Sequence, residues 1–261
     1  MTANRVASTR YRTIVADPPW PIGDFPPNFG YAAGKRTPYS TMTLDQIKAL
    51  PVSDYAHAGA HLYLWTISEH LEQTWSVARA WGFEPSAPLV WCKPPFGMGL
   101  GGKFVNTTEF VLFCRDFAGV GRITAYLADA AERNNVTRKD VDRAMGTSDM
   151  AGWWLSRLPH RSKCPLPDQY DRIKAIVGAG DEMDAEVLGW NEHKGDAPRI
   201  DTRWFRWPRG AHSAKPEAFL DLVESVSPAP RLELFARRQR LGWSTWGDQA
   251  LEHVDLVARD A

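Results

Sequence analysis

Five short apolar runs set the main constraint on this chain: "TIVA", "HLYLWT", "PLVWCK", "TEFVLFCR" and "RLELFAR". Each is rich in β-branched or aromatic residues and each is too short for a buried helix, so buried strands are expected. Segments with helical periodicity lie between them. In "TLDQIKAL", Thr43 with Gln46 three residues later forms a capping-box pattern, and Ser68 is placed to cap a helix reaching roughly Trp81. Near the C-terminus "KPEAFLDLVESV" reads as a helix and "LGWSTWG" as a short strand or hairpin arm. Strands alternating with helices specify an α/β fold. A length of 261 residues allows one substantial core, with room for a small second domain.

The pattern breaks between the two halves. From about Gly121 to Gly178 the chain reads as four short helices. "ITAYLADAAERN" comes first, and Thr137 with Asp140 then caps "RKDVDRAMG". Gly146 makes a turn, "TSDMAGWWLSR" forms a third helix, and Pro167 opens "PDQYDRIKAIVG". A glycine turn between the second and third helices suggests a helix-turn-helix module. An ordinary helical insertion packed on an enzyme accounts for the same pattern. Residues 179–203 give weak signals and read as a connecting excursion, with room for one more helical turn. The expected organisation is therefore a catalytic domain from 1–120 and 204–261, with 121–203 as an inserted helical domain and connector for target recognition.

"TIVADPPW" carries the clearest chemistry. A carboxylate at the end of a strand is aimed into the cleft beyond the sheet edge, where open α/β sheets bind ligands. Asp17 can accept a hydrogen bond from an exocyclic amine, the Pro18 carbonyl can join it, and Trp20 offers a flat stacking surface. Together they could hold an aromatic amine in a defined plane. Asp17 as a turn cap and Trp20 as a core residue fit the four residues equally well, so both readings stay open at this point. The segment from here to about residue 41, "PIGDFPPNFGYAAGKRTPYS", is long for a connection and suits a ligand-covering loop.

Composition narrows the class. The 31 basic and 31 acidic residues cancel, so overall charge leaves no nucleic-acid footprint, although a local patch is compatible with it. Cys92, Cys114 and Cys164 are widely spaced, suggest no structural metal, and suit a reduced cytoplasmic protein. "MTANRVAST" lacks the apolar core of a signal peptide, and no run is long enough to cross a bilayer. The 12 tryptophans are unusual; several suit a core, and aromatics also stack on bases.

"DPPW" after an early strand resembles the catalytic motif of the MT-A70-like family of S-adenosylmethionine-dependent adenine-N6 methyltransferases. The likeness extends, in the family's order, through "HLYLWT", "LVWCKPPFGMGLGGKFVNTTEFVLFCR" and "HSAKPEAFLDLVESVSPAPRLELFARRQRLGWSTWGDQ". It implies a Rossmann-like methyltransferase sheet in permuted motif order, with the catalytic motif first and much of the cofactor-binding sequence last. It assigns Asp17, Pro18, Pro19 and Trp20 to the catalytic turn, Trp20 stacking on or enclosing the base. It assigns Asp17, Lys215, Glu233, Arg237, Asp248 and Gln249 to the S-adenosylmethionine pocket. Asn is familiar in the family where this chain has Asp248, which loosens that contact. His212 could line the pocket or lie on the surface. No metal is implied.

In "KPPFGMGLGGKFVN", Lys93, Lys103 and Asn106 are candidates for contacting the target strand, as Lys35 and Arg36 are in "NFGYAAGKRTPY"; in each case a plain surface loop is the alternative. The inserted helices resemble the Cro/C1-type helix-turn-helix, with a recognition helix from Thr147 to about Arg157. That resemblance places Ser148, Asp149 and Arg157, with downstream Arg161 and Lys163, against DNA. It favours double-stranded DNA as partner over the RNA that the same core could modify. A homodimer, a related subunit, or a catalytically silent nucleic-acid-binding role is also compatible with the sequence.

Overall fold

The apolar runs become strands because both faces of the central ones are covered. The computed structural model describes residues 10–21, 40–93, 107–116, 118–158, 162–192, 200–208 and 215–247. Its first half runs β1 (Tyr11–Ala16), α1 (Leu44–Lys48), β2 (Ala56–Thr66), α2 (Leu71–Ala80), β3 (Phe83–Cys92) and β4 (Thr108–Asp116). A helical stretch follows: α3 (Ala118–Arg133), α4 (Arg138–Met145), α5 (Ala151–Trp154), α6 (Pro167–Val177) and α7 (Asp184–Glu192). The chain then returns to the sheet with β5 (Trp204–Phe205), α8 (Glu217–Val226), β6 (Arg231–Leu234) and β7 (Trp243–Trp246).

The strands form one mixed seven-stranded sheet in the order β5-β3-β4-β2-β1-β6-β7. β1 is parallel to β2 and β6, and β6 to β7. β4 alone is reversed against both its neighbours, β2 and β3. Ile14 and Ala16 of β1 pack with Leu62, Leu64, Val77 and Trp81 on the α2 side. Val15 faces the other way, onto Tyr63, Trp65 and the α8 residues Phe219, Leu220 and Val223. Two layers of helix thus sandwich β1, and its C-terminal end is where chemistry can be displayed.

Local signals hold at several termini. Thr43 Oγ1 accepts from the Gln46 amide at 3.2 Å while Gln46 returns the bond to Thr43 at 2.8 Å. Thr137 and Asp140 do the same for α4, and Gly146 closes it at φ +70°, where glycine has no Cβ penalty. Ser68 does not cap α2: it opens a 3-10 turn through His70, and His70 takes the N-cap position without a side-chain bond.

Two expectations for the helical stretch need correction. The recognition helix from Thr147 to Arg157 is absent; α5 is a single turn, Ala151–Trp154. Asp149 sits at φ +63°, a left-handed conformation incompatible with a continuing helix, and Asp142 captures both Thr147 Oγ1 at 2.6 Å and the Ala151 amide at 3.0 Å. A one-turn helix is too short to fill a major groove in the manner of a recognition helix. Residues 179–203 are no mere connector, since they contain α7.

The helices also dock away from the expected place. Their buried cluster, including Ile123, Leu127, Tyr170, Ile173 and Trp190, meets the sheet at Ala58 near the start of β2. The register of β2 shifts between Ala56 and His61, so regular rise counts only from His61, and five residues at ~3.3 Å each still put the end of β2 at Thr66 ~17 Å beyond that point. Gly119 makes the approach possible, because a Cβ there would fall 2.3 Å from Ala58 Cα. Replacing Gly119 by Ala is expected to lower stability by about 1–3 kcal/mol through overpacking, read as a reduced urea midpoint at unchanged m-value.

Candidate active site

The first strand hands its direction to a side chain. The Asp17 amide reaches the Leu234 carbonyl at 3.5 Å, continuing the β1–β6 ladder one step past Ala16. The chain then turns within three residues, the Trp20 amide donating to the Pro18 carbonyl at 2.8 Å, while the Met42 amide ties to Pro19 at 2.9 Å. One lone pair of the Pro18 carbonyl is therefore spent on the turn.

Trp20 is not the open stacking plate expected. It is 6% exposed, its indole N–H donates to the Trp65 carbonyl at 3.0 Å, and its ring lies over His70 at 5.5 Å and 19°. His70 in turn bonds the Pro21 carbonyl at 2.6 Å through Nε2. The indole anchors the turn from behind while Asp17 faces the cleft.

At that face, Lys215 places its ammonium 3.1 Å from Asp17 Oδ2 and 3.0 Å from Glu109 Oε2, and 4.8 Å from the centre of the Trp65 ring. Lys93 pairs with the other oxygen of Glu109. The four charges alternate in sign across β1, β4, the end of β3 and the residue leading into α8. Burial opposes the charge on Lys215, but Asp17 and then Glu109 outweigh it and hold its pKa above the usual lysine value. Burial likewise works against Glu109, which Lys215 and Lys93 nevertheless keep below the usual carboxylate range.

Glu233 is the contrasting acid. It stands one strand over, opposite Val15 on β1. Its Oε2 is buried and has no hydrogen-bond partner among the described residues, and the same holds for the indole nitrogen of Trp65. Burial, with help from the Asp17 charge and against the pull of Arg238, pushes its pKa up to about 7. Val15, Asp17, Trp65, Lys215, Phe219, Glu233, Phe235, Arg237 and Arg238 line a single cleft. Phe235 enters it at φ +62°, a conformation costly for a bulky residue.

The structure thus brings together Asp17, Lys215, Glu233 and Arg237, with Lys93 behind them. Asp248, Gln249, His212, Lys35, Arg36, Lys103, Asn106 and Arg161 lie outside the described residues. Arg157, half exposed, pairs with Asp129 at 2.7 Å and Glu132 at 2.5 Å on α3. Ser148, Asp149 and Lys163 are exposed on the same helical stretch. Glu109 was missed; its signal is a lone carboxylate alternating with Val111 and Phe113 in "TEFVLFCR".

A mixed sheet with helices on both faces, and a carboxylate at the C-terminal end of its central strand, defines an α/β fold consistent with a Rossmann-like S-adenosylmethionine-dependent methyltransferase core. The MT-A70 family model matches residues 11–97 and 177–249, and the chain belongs to the MT-A70 family. It is also similar to Type II methyltransferase M.MunI from Mycoplasma sp, at 21% identity over 254 residues, covering 91% of this chain and 77% of that protein. Membership makes the protein an S-adenosylmethionine-dependent methyltransferase of adenine N6 in nucleic acid. Among the described residues no helix is long and apolar enough to cross a membrane.

Two stability measurements follow from the two acids. Glu109→Gln leaves two partly buried ammonium groups short of a counter-charge and is expected to cost about 2–4 kcal/mol in chemical denaturation. Glu233 behaves in the opposite sense. Its folded pKa is raised, so its contribution is complete below the ordinary carboxyl range and is lost as pH rises through about 7. Glu233→Gln should therefore be more stable than the parent at pH 8, by on the order of 2 kcal/mol, with the gap closing by pH 5.

Proposed function

We propose that this protein methylates adenine N6 in duplex DNA, with Asp17 and the Pro18 carbonyl orienting the amine. The observation that carries the reading is the Asp17 carboxylate held by Lys215 at the head of β1, beside a cleft with an orphaned acceptor on Glu233 and an orphaned donor on Trp65. Those unpaired atoms fit a nucleoside-bearing cofactor: the Glu233 carboxylate can accept from ribose hydroxyls, while Phe219, Leu220 and Phe235 supply apolar walls. Lys215 and Arg237, with Asp248 and Gln249, complete the proposed cofactor residues. S-adenosylmethionine supplies an electrophilic methyl on sulfonium when bound there.

Asp17 accepts a hydrogen bond from N6 and turns its lone pair toward that methyl. With that cofactor bound, its sulfonium would be the leaving group for the methyl that N6 takes, and Asp17 would be placed to accept the proton N6 gives up. Fixing the amine in line supplies much of the rate, and the carboxylate stabilises positive charge developing on N6. The target adenine must first leave the duplex stack. The likeness to a Type II methyltransferase supports DNA over RNA. The stretch 98–176, between the two matched segments, holds β4 and nearly all of α3 to α6, which supports reading those four helices as an insertion, whereas α7 falls within the second matched segment.

The test is methyl transfer from labelled cofactor to duplex DNA, single-stranded DNA and RNA, with the labelled atom mapped. N6-labelled adenine in duplex is expected; labelling of RNA alone overturns the substrate. Asp17→Ala should lower kcat by about 100-fold or more, with cofactor binding by calorimetry largely kept.

A further inference from the structure

The outermost strand carries a run that the cleft does not use, "TRWFRWP" from Thr202 to Pro208. Alternation along β5 sends Phe205 and Trp207 to the same side, their rings stacked at 4.5 Å and 8°. Trp207 reaches Phe219 of α8 at 6.3 Å and takes the Trp91 indole N–H on its carbonyl at 3.0 Å. These two aromatics are packing residues. The residues between and before them are not.

Trp204 is 60% exposed, on the opposite side from Phe205. By the same alternation Arg206 shares the side of Trp204 and Arg203 takes the other; both are exposed, and neither guanidinium has an ion pair or hydrogen bond among the described residues. This contrasts with Arg79, Arg157, Arg238 and Arg240, which are all paired with carboxylates. Among the described residues, neither the exposed indole nor the two guanidiniums beside it makes a side-chain hydrogen bond or ion pair that holds the fold. A row of half-buried apolar residues leads inward from it, since Trp204 pairs with Val90 and Val90 with Phe110.

The location supplies the second argument. β5 runs parallel to β3, and the next β3 residue, Trp91, pairs with Phe205 on one side and with Glu109 on the other. The exposed run therefore emerges at the same sheet edge as Asp17. Four strand spacings of ~4.8 Å separate β5 from β1, or ~19 Å. That is the length of five or six stacked base pairs at ~3.4 Å each.

We propose that Arg203, Trp204 and Arg206 hold the sugar–phosphate backbone of the DNA flank, some five or six base pairs from the target adenine. The backbone crosses the outer edge of the sheet, with Trp204 and Arg206 meeting it from one side and Arg203 from the other; each guanidinium takes a phosphate oxygen and the indole face lies against the deoxyribose beside Arg206. The contact is independent of base sequence, so it supplies affinity and register rather than choice of site. It rests on the DNA reading above.

Fluorescence anisotropy with a labelled duplex measures it directly, because binding does not require turnover. Arg203→Ala with Arg206→Ala should weaken binding at least tenfold near 0.1 M salt and reduce the slope of log K against log[salt] by about 1.8, the share of two phosphates. Trp204→Ala should weaken binding severalfold with the slope unchanged. Cofactor affinity and kcat at saturating DNA should match the parent in both variants, which also shows that they fold. Trimming the flank to about three base pairs should weaken the parent and leave the double variant unaffected. Parental affinity and slope in the variants overturn the proposal, as does a parent dimer that Trp204→Ala dissociates with DNA binding unchanged. If the parent methylates no DNA yet the variants still lose DNA affinity, the activity reading fails while this contact stands.

Discussion

The Lys215 ammonium is the tie on which the working edge of this molecule depends. One cation, covered by the Trp65 ring, is shared between Asp17 on the central strand and Glu109 on the reversed strand. Glu109 passes the pairing on to Lys93, at the end of a third strand. Such a chain is costly to bury and costlier to break, because removing any member strands a partner in low dielectric. It fixes the relative height of three strand ends and the start of α8. Glu233, close by and lacking a described partner for its buried oxygen, is the contrast: an acid whose pKa is raised chiefly by burial and further by the Asp17 charge.

A second buried carboxylate organises the far end of the sheet. Glu186 of α7 accepts from the Ala58 amide at 2.7 Å, pairs with Arg10, and lies 3.9 Å from both Arg122 and His57. Asp116, 3.5 Å from Arg122, has its pKa pushed up to about 6, chiefly by burial. The helical stretch is thus pinned to the start of β2 by charge as well as by the Ala58–Gly119 contact. The two polar clusters occupy opposite ends of the same strands, which separates what holds the helices from what presents Asp17.

Much of this was legible in the residues, for identifiable reasons. The apolar runs announce the long strands because both faces of β1 and β2 are covered, and the cleft acids follow from where those strands end. Thr43–Gln46 and Thr137–Asp140 specify helix starts by local bonds alone, so no tertiary knowledge is needed. The third of the short helices fails because Asp142 reaches across the turn to capture the Ala151 amide, a contact invisible in spacing. α7 escapes notice because it docks through Glu186, a residue that periodicity assigns to solvent. β5 is two residues long, below the length at which alternation means anything. Trp20 shows the limit most sharply: the motif marks the residue, but only packing tells which way the ring turns.

That orientation gives the four residues "DPPW" two opposite addresses. Asp17 looks into the cleft; Trp20, three residues on, is clamped between the Trp65 backbone and His70, at the threshold of α2. Prolines between them leave little slack, so the turn acts as a stiff lever with its short arm in the active site and its long arm under the helix. The indole is thereby fixed to β2 and His70 while the carboxylate is fixed to Lys215, so two residues three apart in sequence tie the start of α2 to the start of α8.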